Sequence, residues 1–289
     1  MLSPLFIMGT QRSGTTLLTR ILSAHPEVFI QNELDLPKVF EDSSSTEAVI
    51  KGIEKQVYIE NGSELANLVK AAPIWGLKDP QLTEYIDVLR NFLPASKFII
   101  IVRDGRGVTN SYMENKCGLG TNAYYGAQRW KREVEQQLEF MSEMPENFLF
   151  IRYEDIVTNF KPTLEQVCQF LECSLAPEML EYDKQASYYN VQRENVHTFK
   201  KPDKTLSEKW KFKLSQFEID VVENVAGDLL EKLGYKKIGQ PVKLSKLQLF
   251  YFKWHQKIIG EIQIQYRWRQ AMWRARKQQK ERKERWDRQ

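Results

Sequence analysis

The sequence contains few of the residues from which disulfide frameworks and zinc sites are built. It has three cysteines, Cys117, Cys168 and Cys173, with no CxxC spacing, and three histidines with no HExxH pattern. An odd, scattered set of thiols is not typical of a disulfide framework and favours a reducing compartment, so we expect a cytoplasmic protein. The same scarcity speaks against a Cys/His zinc site, and no pair of acids indicates another centre. We therefore predict no metal.

Long hydrophobic runs are also missing. No apolar stretch approaches the ~20 residues that are needed to span a bilayer. The amino terminus lacks a basic region followed by a small-residue cleavage site, so we do not expect a signal peptide. With 42% hydrophobic and 28% charged residues, the 289-residue chain has the composition of a globular protein with a sizeable core.

Net positive charge is confined to the end of the chain. The net charge is +4, but residues 267–289 hold ten Arg and Lys against three acids, so this tail has a charge of +7 and the rest a charge of −3. A body without excess positive charge does not have the composition of a nucleic-acid binder. We therefore predict no nucleic-acid partner.

Short apolar runs alternate with helical patterns along most of the chain. The predicted strands are residues 4–9, 74–77, 98–102 and 148–151. Helical patterns lie at residues 15–24, 46–70, 122–143 and 215–233, the last of them closed by Gly234. Strands that alternate with helices indicate a parallel sheet covered by helices on both faces. The fold class is therefore α/β, with a P-loop-like parallel sheet flanked by helices.

Residues 9–16 form a glycine-containing loop between the first predicted strand and the first predicted helix. Gly9 and Gly14 have the Gly-x4-Gly spacing of a nucleotide P-loop, in which backbone N–H groups bind an anion at a helix N-terminus. Thr15 stands where a Walker lysine would be, and the basic residue is Arg12, inside the loop. This arrangement disfavours hydrolysis of ATP or GTP. An ordinary strand–helix turn is the alternative.

Several segments resemble a known family. Residues 6–18 resemble the 5'-phosphosulfate loop of sulfotransferases that use 3'-phosphoadenosine 5'-phosphosulfate (PAPS), in the Arg-Ser-Gly-Thr-Thr form of the branch that includes tyrosylprotein and bacterial sulfotransferases. Residues 97–106, followed by Ser111, resemble the family's 3'-phosphate site. The similarity also includes shorter segments at residues 24–33, 78–80, 152–155 and 201–210.

The resemblance covers about residues 4–238 and implies a division of the chain. Residues 1–238 would form the sulfotransferase domain, and residues 239–289 a helical, basic C-terminal extension. The implied reaction moves the sulfuryl group of PAPS to an acceptor hydroxyl by in-line transfer and releases PAP. Whether the acceptor is a small molecule, a glycan or a tyrosine stays open.

The resemblance also implies roles for individual residues. Glu33 falls on the glutamate that tyrosylprotein sulfotransferases use as general base. Arg12 and Lys78 would place cations at the reacting group, although a lysine before a Pro turn is otherwise an ordinary surface residue. Competitors for the base are Glu27, Asp35, His25 and His197. His25 precedes Pro26 in what resembles a structural turn, so Glu33 is preferred.

Donor binding is implied for a larger set of residues, most of them in the glycine-containing loop. These are Gln11, Arg12, Ser13, Gly14, Thr15, Thr16, Arg103, Ser111, Tyr153 and Lys201. Lys201 is the best candidate within residues 195–201, a stretch for which the resemblance implies contacts to the adenine and phosphate side of the donor. Arg106 has two equally weighted interpretations, as a ligand and as a salt-bridging residue. Asp79, Asp104 and Asp155 are interpreted as acids that order loops.

Two other functions remain as alternatives. One is a P-loop kinase or NTPase with a degenerate loop, and the other is a non-enzymatic nucleotide-binding scaffold that works through its tail. The scaffold would be favoured by loss of Arg12 or Arg103, but both are present.

The tail has its own pattern. Leu247, Tyr251, Trp254, Ile258 and Ile262 recur at helical spacing before the basic segment. The hypothesis is a helix that docks by this apolar stripe and presents Arg, Lys and Trp side chains to an anionic surface, such as a membrane, or to an anionic partner. The alternative is a helix that packs on its own domain or on the partner in a homodimer.

Overall fold

A five-stranded parallel sheet forms the framework of the computed structural model, which describes residues 3–62, 67, 71–185 and 200–286. The strands are β1 (Leu5–Met8), β2 (Val28–Asn32), β3 (Ile74–Lys78), β4 (Lys97–Val102) and β5 (Phe148–Arg152). Their order is β2-β3-β1-β4-β5, and every neighbouring pair is parallel. The predicted α/β fold with a P-loop-like parallel sheet is confirmed.

The strands form where the sequence is apolar and β-branched because both faces of the sheet are covered. All four residues of β1 are buried, as are the last five of β4. Phe98 of β4 stacks between Phe6 of β1 and Phe148 of β5, with ring centroids 5.5 Å and 4.7 Å apart. The four predicted strands are present, each within one residue of its predicted start and end. Strand β2 was not predicted, although residues 28–30 are apolar.

Helices occupy most of the remaining described residues. Before β4 these are α1 (Thr15–Leu22), α2 (Leu36–Val39), α3 (Thr46–Asn61) and α4 (Ile86–Phe92). After β4 they are α5 (Gly105–Asn115), α6 (Ala123–Glu143), α7 (Tyr153–Thr158), α8 (Phe160–Leu171), α9 (Pro177–Leu180), α10 (Lys204–Glu208), α11 (Trp210–Lys213), α12 (Gln216–Lys232) and α13 (Lys246–Trp286). Short 3₁₀ turns lie at Pro80–Tyr85, Pro145–Asn147 and Tyr182–Lys184.

Local capping signals explain where α12 begins and ends. The Ser215 side chain accepts a hydrogen bond from the Glu218 amide, while the Glu218 carboxylate accepts one from the Ser215 amide. This reciprocal pair satisfies two N–H groups that the first turn leaves without helical partners. Gly234, with φ 82°, follows the last turn in the left-handed conformation that glycine adopts without strain. The helix predicted at residues 215–233, closed by Gly234, is confirmed.

The chain forms two compact units. The first contains residues 1–104 and 132–209, including the whole sheet, and the second contains residues 105–131 and 210–289. The predicted boundary between residues 238 and 239 stays a prediction about the family-like region, and the second unit includes residues from both sides of it. Among the described residues, no helix has the length and apolar composition of a membrane span.

Helix α13 packs within the second unit by a face other than its predicted apolar stripe. Phe252 is buried in a small apolar cluster, and Gln256 donates a hydrogen bond to the Gly118 carbonyl at 2.7 Å. Gln263 accepts from the Gly118 amide at 2.9 Å, and Arg267 donates to the Asn115 carbonyl at 2.7 Å. The five apolar residues predicted to dock are 41–77% exposed. The predicted helix is therefore confirmed, but among the described residues the apolar stripe is not the face by which it packs within the second unit.

Candidate active site

The carboxyl ends of the five strands bring the glycine-containing loop, Glu33, Lys78, Arg103 and Tyr153 to one edge of the sheet. Strand β3 lies between β1, which leads into the glycine-containing loop, and β2, which leads into Glu33. The register pairs Lys78 with Ile7 on one side and with Asn32 on the other. Strand β4 lies on the other side of β1 and leads into Arg103. In open α/β sheets this edge is where ligands bind.

The loop at residues 9–14 needs its glycines for close backbone contacts. A Cβ on Gly9 would lie 2.5 Å from the Ile101 carbonyl oxygen, and one on Gly14 would lie 2.5 Å from the Tyr153 ring. Both glycines have positive φ, 156° and 104°. Helix α1 begins at Thr15, directly after Gly14, so its first N–H groups lie at the end of the loop.

Two buried hydroxyls of this loop fit an anionic ligand. Among the described residues, the hydroxyl oxygens of Thr10 and Ser13 have no hydrogen-bond partner, although both residues are almost fully buried. A buried hydroxyl without a partner costs about 1–3 kcal/mol, which an acceptor oxygen of a bound anion would remove. Thr10 was not among the predicted binding residues. Its hydroxyl and its position between Gly9 and Arg12 were the available signal.

Arg12 and Glu33 share an unusual backbone conformation. Their φ angles are 74° and 49°, and only two other non-glycine residues in the described chain have positive φ. Such left-handed residues are sparsely populated outside glycine, Asn and Asp, and they are found disproportionately at functional sites. Half of these outliers are therefore residues with predicted catalytic roles.

Lys78 and Glu33 form an ion pair at the ends of β3 and β2. The Lys78 Nζ lies 2.7 Å from the Glu33 Oε1, and the Glu33 amide donates to the Lys78 carbonyl at 2.7 Å. The Lys78 side chain is 0% exposed, whereas the Glu33 side chain is 45% exposed. The interpretation of Lys78 as a surface lysine is therefore wrong. A buried cation orients a carboxylate that remains accessible from solvent.

Asp79 orders the backbone around this pair, as predicted for an acid that orders loops. Its carboxylate accepts hydrogen bonds from the Gln81 amide at 2.8 Å and the Leu34 amide at 3.4 Å. It therefore connects the segment after Glu33 to the segment after Lys78. Burial, with a smaller contribution from the Glu33 charge, raises the pKa of Asp79 to about 6.

Strand β2 separates Glu33 from two of its competitors. His25 and Glu27 precede β2, whereas Glu33 follows it, so the five-residue strand places them roughly 16 Å apart along the sheet. His25 is buried, with its Nε2 2.9 Å from the Ser174 carbonyl and its Nδ1 accepting from the Glu27 amide. The structural role predicted for His25 is confirmed. Asp35 pairs with Lys38 at 2.7 Å, and His197 lies outside the described residues.

Arg103 and Tyr153 come together beside the loop. The Arg103 guanidinium lies 4.7 Å from the centroid of the Tyr153 ring, and its Nη1 donates to the Arg12 carbonyl at 3.3 Å. Its Nη2 donates to the Leu206 carbonyl at 2.7 Å. The Tyr153 ring also packs on Gly14, and burial raises the pKa of its hydroxyl. The structure thus joins two residues that are fifty positions apart to the same loop.

Ser111 and Lys201 are two further residues predicted to bind the donor. Ser111 belongs to the second unit, on α5, where its hydroxyl accepts from the Asn115 side chain at 3.0 Å. Lys201 is exposed, and residues 195–199, also considered for phosphate contacts, lie outside the described chain. Ser111 and Lys201 therefore stay predictions from the sequence.

Arg106 has a structural role. It forms a buried ion pair with Glu223 at 2.6 Å, donates to the Lys236 carbonyl at 2.9 Å and lies 4.1 Å from the centroid of the Trp210 ring. Of its two interpretations, salt bridging is thus the one that the structure supports.

The cysteines and acids show no further centre in the part of the chain that is described. Cys117, Cys168 and Cys173 are all free thiols, and burial raises the pKa of Cys168 to about 12. No group of three or more potential metal ligands is found within residues 3–62, 67, 71–185 and 200–286. Independence from metal stays a prediction.

Comparison with known proteins agrees with this architecture. The chain is 26% identical over 270 residues to human protein-tyrosine sulfotransferase 1, a match that covers 84% of this chain and 72% of that protein. It is 24% identical over 265 residues to protein-tyrosine sulfotransferase A of Caenorhabditis elegans, covering 84% and 70%. Among solved structures, the sulfotransferase domain from the curacin biosynthetic pathway has a similar fold, with a TM-score of 0.62, 22% identity, and coverage of 82% and 99%.

A family model described as the sulfotransferase family matches residues 4–177, which is more than half of the chain. The match includes the glycine-containing loop, Glu33, Lys78, Arg103 and Tyr153. The alternatives of a P-loop kinase or NTPase and of a scaffold without activity are not supported by these findings. The chain belongs to the sulfotransferase family and is an enzyme of that family.

Proposed function

We propose that this enzyme transfers the sulfuryl group of PAPS to an acceptor hydroxyl, with Glu33 as general base. The observation that supports this most directly is the Lys78–Glu33 pair, in which a buried Nζ holds a half-exposed carboxylate at 2.7 Å. A general base must be accessible to the acceptor and held in position. Glu33 satisfies both conditions, whereas Glu27 and His25 lie at the other end of β2.

The proposed chemistry needs little beyond positioning and charge stabilisation. The acceptor oxygen attacks the sulfur, a new O–S bond forms, and the bond from sulfur to the bridging oxygen breaks. The acceptor proton passes to Glu33, and the electron pair of the broken bond stays on the 5'-phosphate of PAP. Arg12, in the loop that follows β1, is the cation proposed to stabilise this leaving group.

Donor binding is proposed to use the loop and the residues next to it. The unsatisfied hydroxyls of Thr10 and Ser13 and the backbone of residues 11–16 would hold the 5'-phosphosulfate. Arg103, beside Tyr153, would bind the 3'-phosphate, with Ser111 as a second proposed ligand. No step in this proposal requires a metal.

For the acceptor, we propose a tyrosine hydroxyl in a polypeptide. The support is the similarity to proteins named protein-tyrosine sulfotransferases, which extends over 84% of this chain and is not confined to the donor loop. The cytoplasmic location expected from the thiols also stays a proposal.

An assay with radiolabelled donor tests both the proposed donor and the proposed acceptor. The protein is incubated with PAPS labelled in the sulfuryl group and with a tyrosine peptide, its phenylalanine counterpart, a simple phenol or a sugar. We expect label in the tyrosine peptide and none in the phenylalanine peptide. Sulfation of the phenol or the sugar alone would contradict the proposed acceptor, and no transfer to any acceptor with no binding of PAP would contradict the donor.

A further inference from the structure

The last helix presents two different faces. The packed face is formed by Phe252, Gln256, Gln263 and Arg267, whose contacts lie within the second unit. These positions follow one another at intervals of four, seven and four residues, as one side of an α-helix requires. The opposite side of α13 is apolar and exposed.

This exposed side is a continuous stripe. We define the outward stripe as Leu247, Phe250, Tyr251, Trp254, Ile258 and Ile262, each of them at least 41% exposed. Trp268 and Trp273, which lie nearer the end of the helix, are also exposed. A soluble surface seldom exposes so many large apolar residues along one line unless the line is an interaction site.

The stripe has positive charge beside it. Lys253 and Lys257 are exposed along one of its edges, and the Lys257 Nζ lies 5.2 Å from the centroid of the Trp254 ring. Residues 246–273 contain five Arg and Lys and a single acid, Glu261. Large aromatic and aliphatic side chains on one face with lysine and arginine around them are the composition of helices that lie in the interface of anionic membranes.

A second copy of this chain fits the stripe less well. Helix pairing through a coiled coil needs apolar residues that recur over three or four heptads. After Leu247, Tyr251, Trp254 and Ile258, the next positions of that repeat are Glu261 and Gln265. These two polar side chains hydrogen-bond each other at 2.8 Å on the exposed surface. The repeat therefore ends after two heptads.

We propose that the outward stripe of α13 binds to an anionic phospholipid surface, with its aromatic and aliphatic side chains at the acyl boundary and the flanking Lys and Arg side chains at the headgroups. This surface is independent of the proposed sulfuryl transfer. It revises the expectation from the sequence, because the membrane contact is assigned to the apolar stripe and not only to residues 267–289.

The test is binding of the full chain to vesicles of phosphatidylcholine, with or without one quarter phosphatidylglycerol, measured by flotation at low salt. We expect binding to the anionic vesicles and at most weak binding to the neutral ones. Ile258→Glu should weaken binding about tenfold or more, because it removes apolar contact and adds a repelled charge. The matched control is Ile59→Glu on α3, since Ile59 is 60% exposed and Ile258 is 52% exposed. It should leave binding unchanged.

A second variant tests the charge. Replacing Lys253 and Lys257 together by Gln should weaken binding to the anionic vesicles by about fivefold per charge, with less sensitivity to salt. Absence of binding at low salt, or equal loss in Ile59→Glu and Ile258→Glu, would overturn the proposal. So would sedimentation data in which the wild type is a dimer and Ile258→Glu is a monomer, because the stripe would then be a contact between two copies.

Discussion

The Glu33 carboxylate is held by a left-handed backbone and by a buried lysine. Glu33→Gln keeps the size of the side chain and an oxygen that can accept from Lys78, but it removes the proton acceptor. We expect kcat to fall by about 10²–10⁴-fold, the usual contribution of a general base. The affinity for PAP, measured by titration calorimetry, should stay nearly the same because the donor is bound by other residues.

The control for this change is Glu27→Gln. Glu27 is exposed and precedes β2, so its replacement should have a mild effect on kcat. If Glu33→Gln kept most of its activity while His25→Ala or His197→Ala abolished it, the base would be a histidine.

Arg103 is predicted to bind the 3'-phosphate of the donor and to make no contact with the transferring sulfur. Arg103→Ala should weaken PAP binding by about 1.5–3 kcal/mol, the range for a charge-assisted hydrogen bond, which is roughly 10–150-fold in Kd. Arg103→Lys keeps the charge but loses the planar fork, so its loss should be smaller. Unchanged PAP affinity in Arg103→Ala would contradict the 3'-phosphate assignment.

The raised pKa of Asp79 predicts that the stability of the folded protein depends on pH. Because its pKa is raised to about 6, the folded state binds a proton more tightly than the unfolded state does. Its contribution to stability is therefore fully present below about pH 4 and is lost as the pH rises through 6. Asp79→Asn does not titrate, so its Tm should improve relative to wild type as the pH is raised from 4.5 to 7. Parallel Tm profiles for the two proteins would refute this explanation.

Helices α5 and α12 are joined by a buried ion pair. The Arg106 and Glu223 side chains are 3% and 5% exposed, and Glu223 also accepts from the Ile238 and Gly239 amides. Glu223→Ala leaves the Arg106 charge buried without its partner. We expect a loss of about 3–5 kcal/mol in the free energy of unfolding, measured by urea denaturation.

The same helix offers a matched control. Glu231 pairs with Lys237 at 2.9 Å on the surface, where both side chains are more than one third exposed. Because solvent screens such a pair, Glu231→Ala should have little measurable effect. If Glu223→Ala were no more destabilising than Glu231→Ala, the buried pair would not be what stabilises this helix contact.

For the whole molecule, PAP is predicted to stabilise the folded chain without a metal. A ligand at one hundred times its Kd adds about 2.7 kcal/mol, so the Tm should rise by roughly 5–10 °C. ATP with Mg²⁺ should produce a smaller shift, because the loop has Arg12 inside it and no Walker lysine. The measurement is a thermal-shift comparison with and without a chelator. A larger shift with ATP and Mg²⁺, or loss of activity on chelation, would contradict the proposed donor.

The sequence by itself determined the features that depend on a few neighbouring residues. The glycines of residues 9–14 are needed for local backbone conformations, and the apolar runs of β1, β3, β4 and β5 are recognisable within four to six residues. The start and end of α12 follow from Ser215, Glu218 and Gly234. Hydrogen bonds and backbone sterics act over one or two turns of chain, which is why these features were predictable.

The tertiary structure decided which distant residues meet. Lys78 is buried against Glu33, forty-five residues away, because β3 lies between β1 and β2, and strand order is not visible in any one segment. Arg106 could have been a ligand until α12 placed Glu223 beside it. The period of α13 marked an apolar face, yet Phe252, Gln256 and Gln263 form the contact. Periodicity shows that a helix has two faces, but only the shape and hydrogen-bonding groups of the neighbouring segments determine which face packs against them.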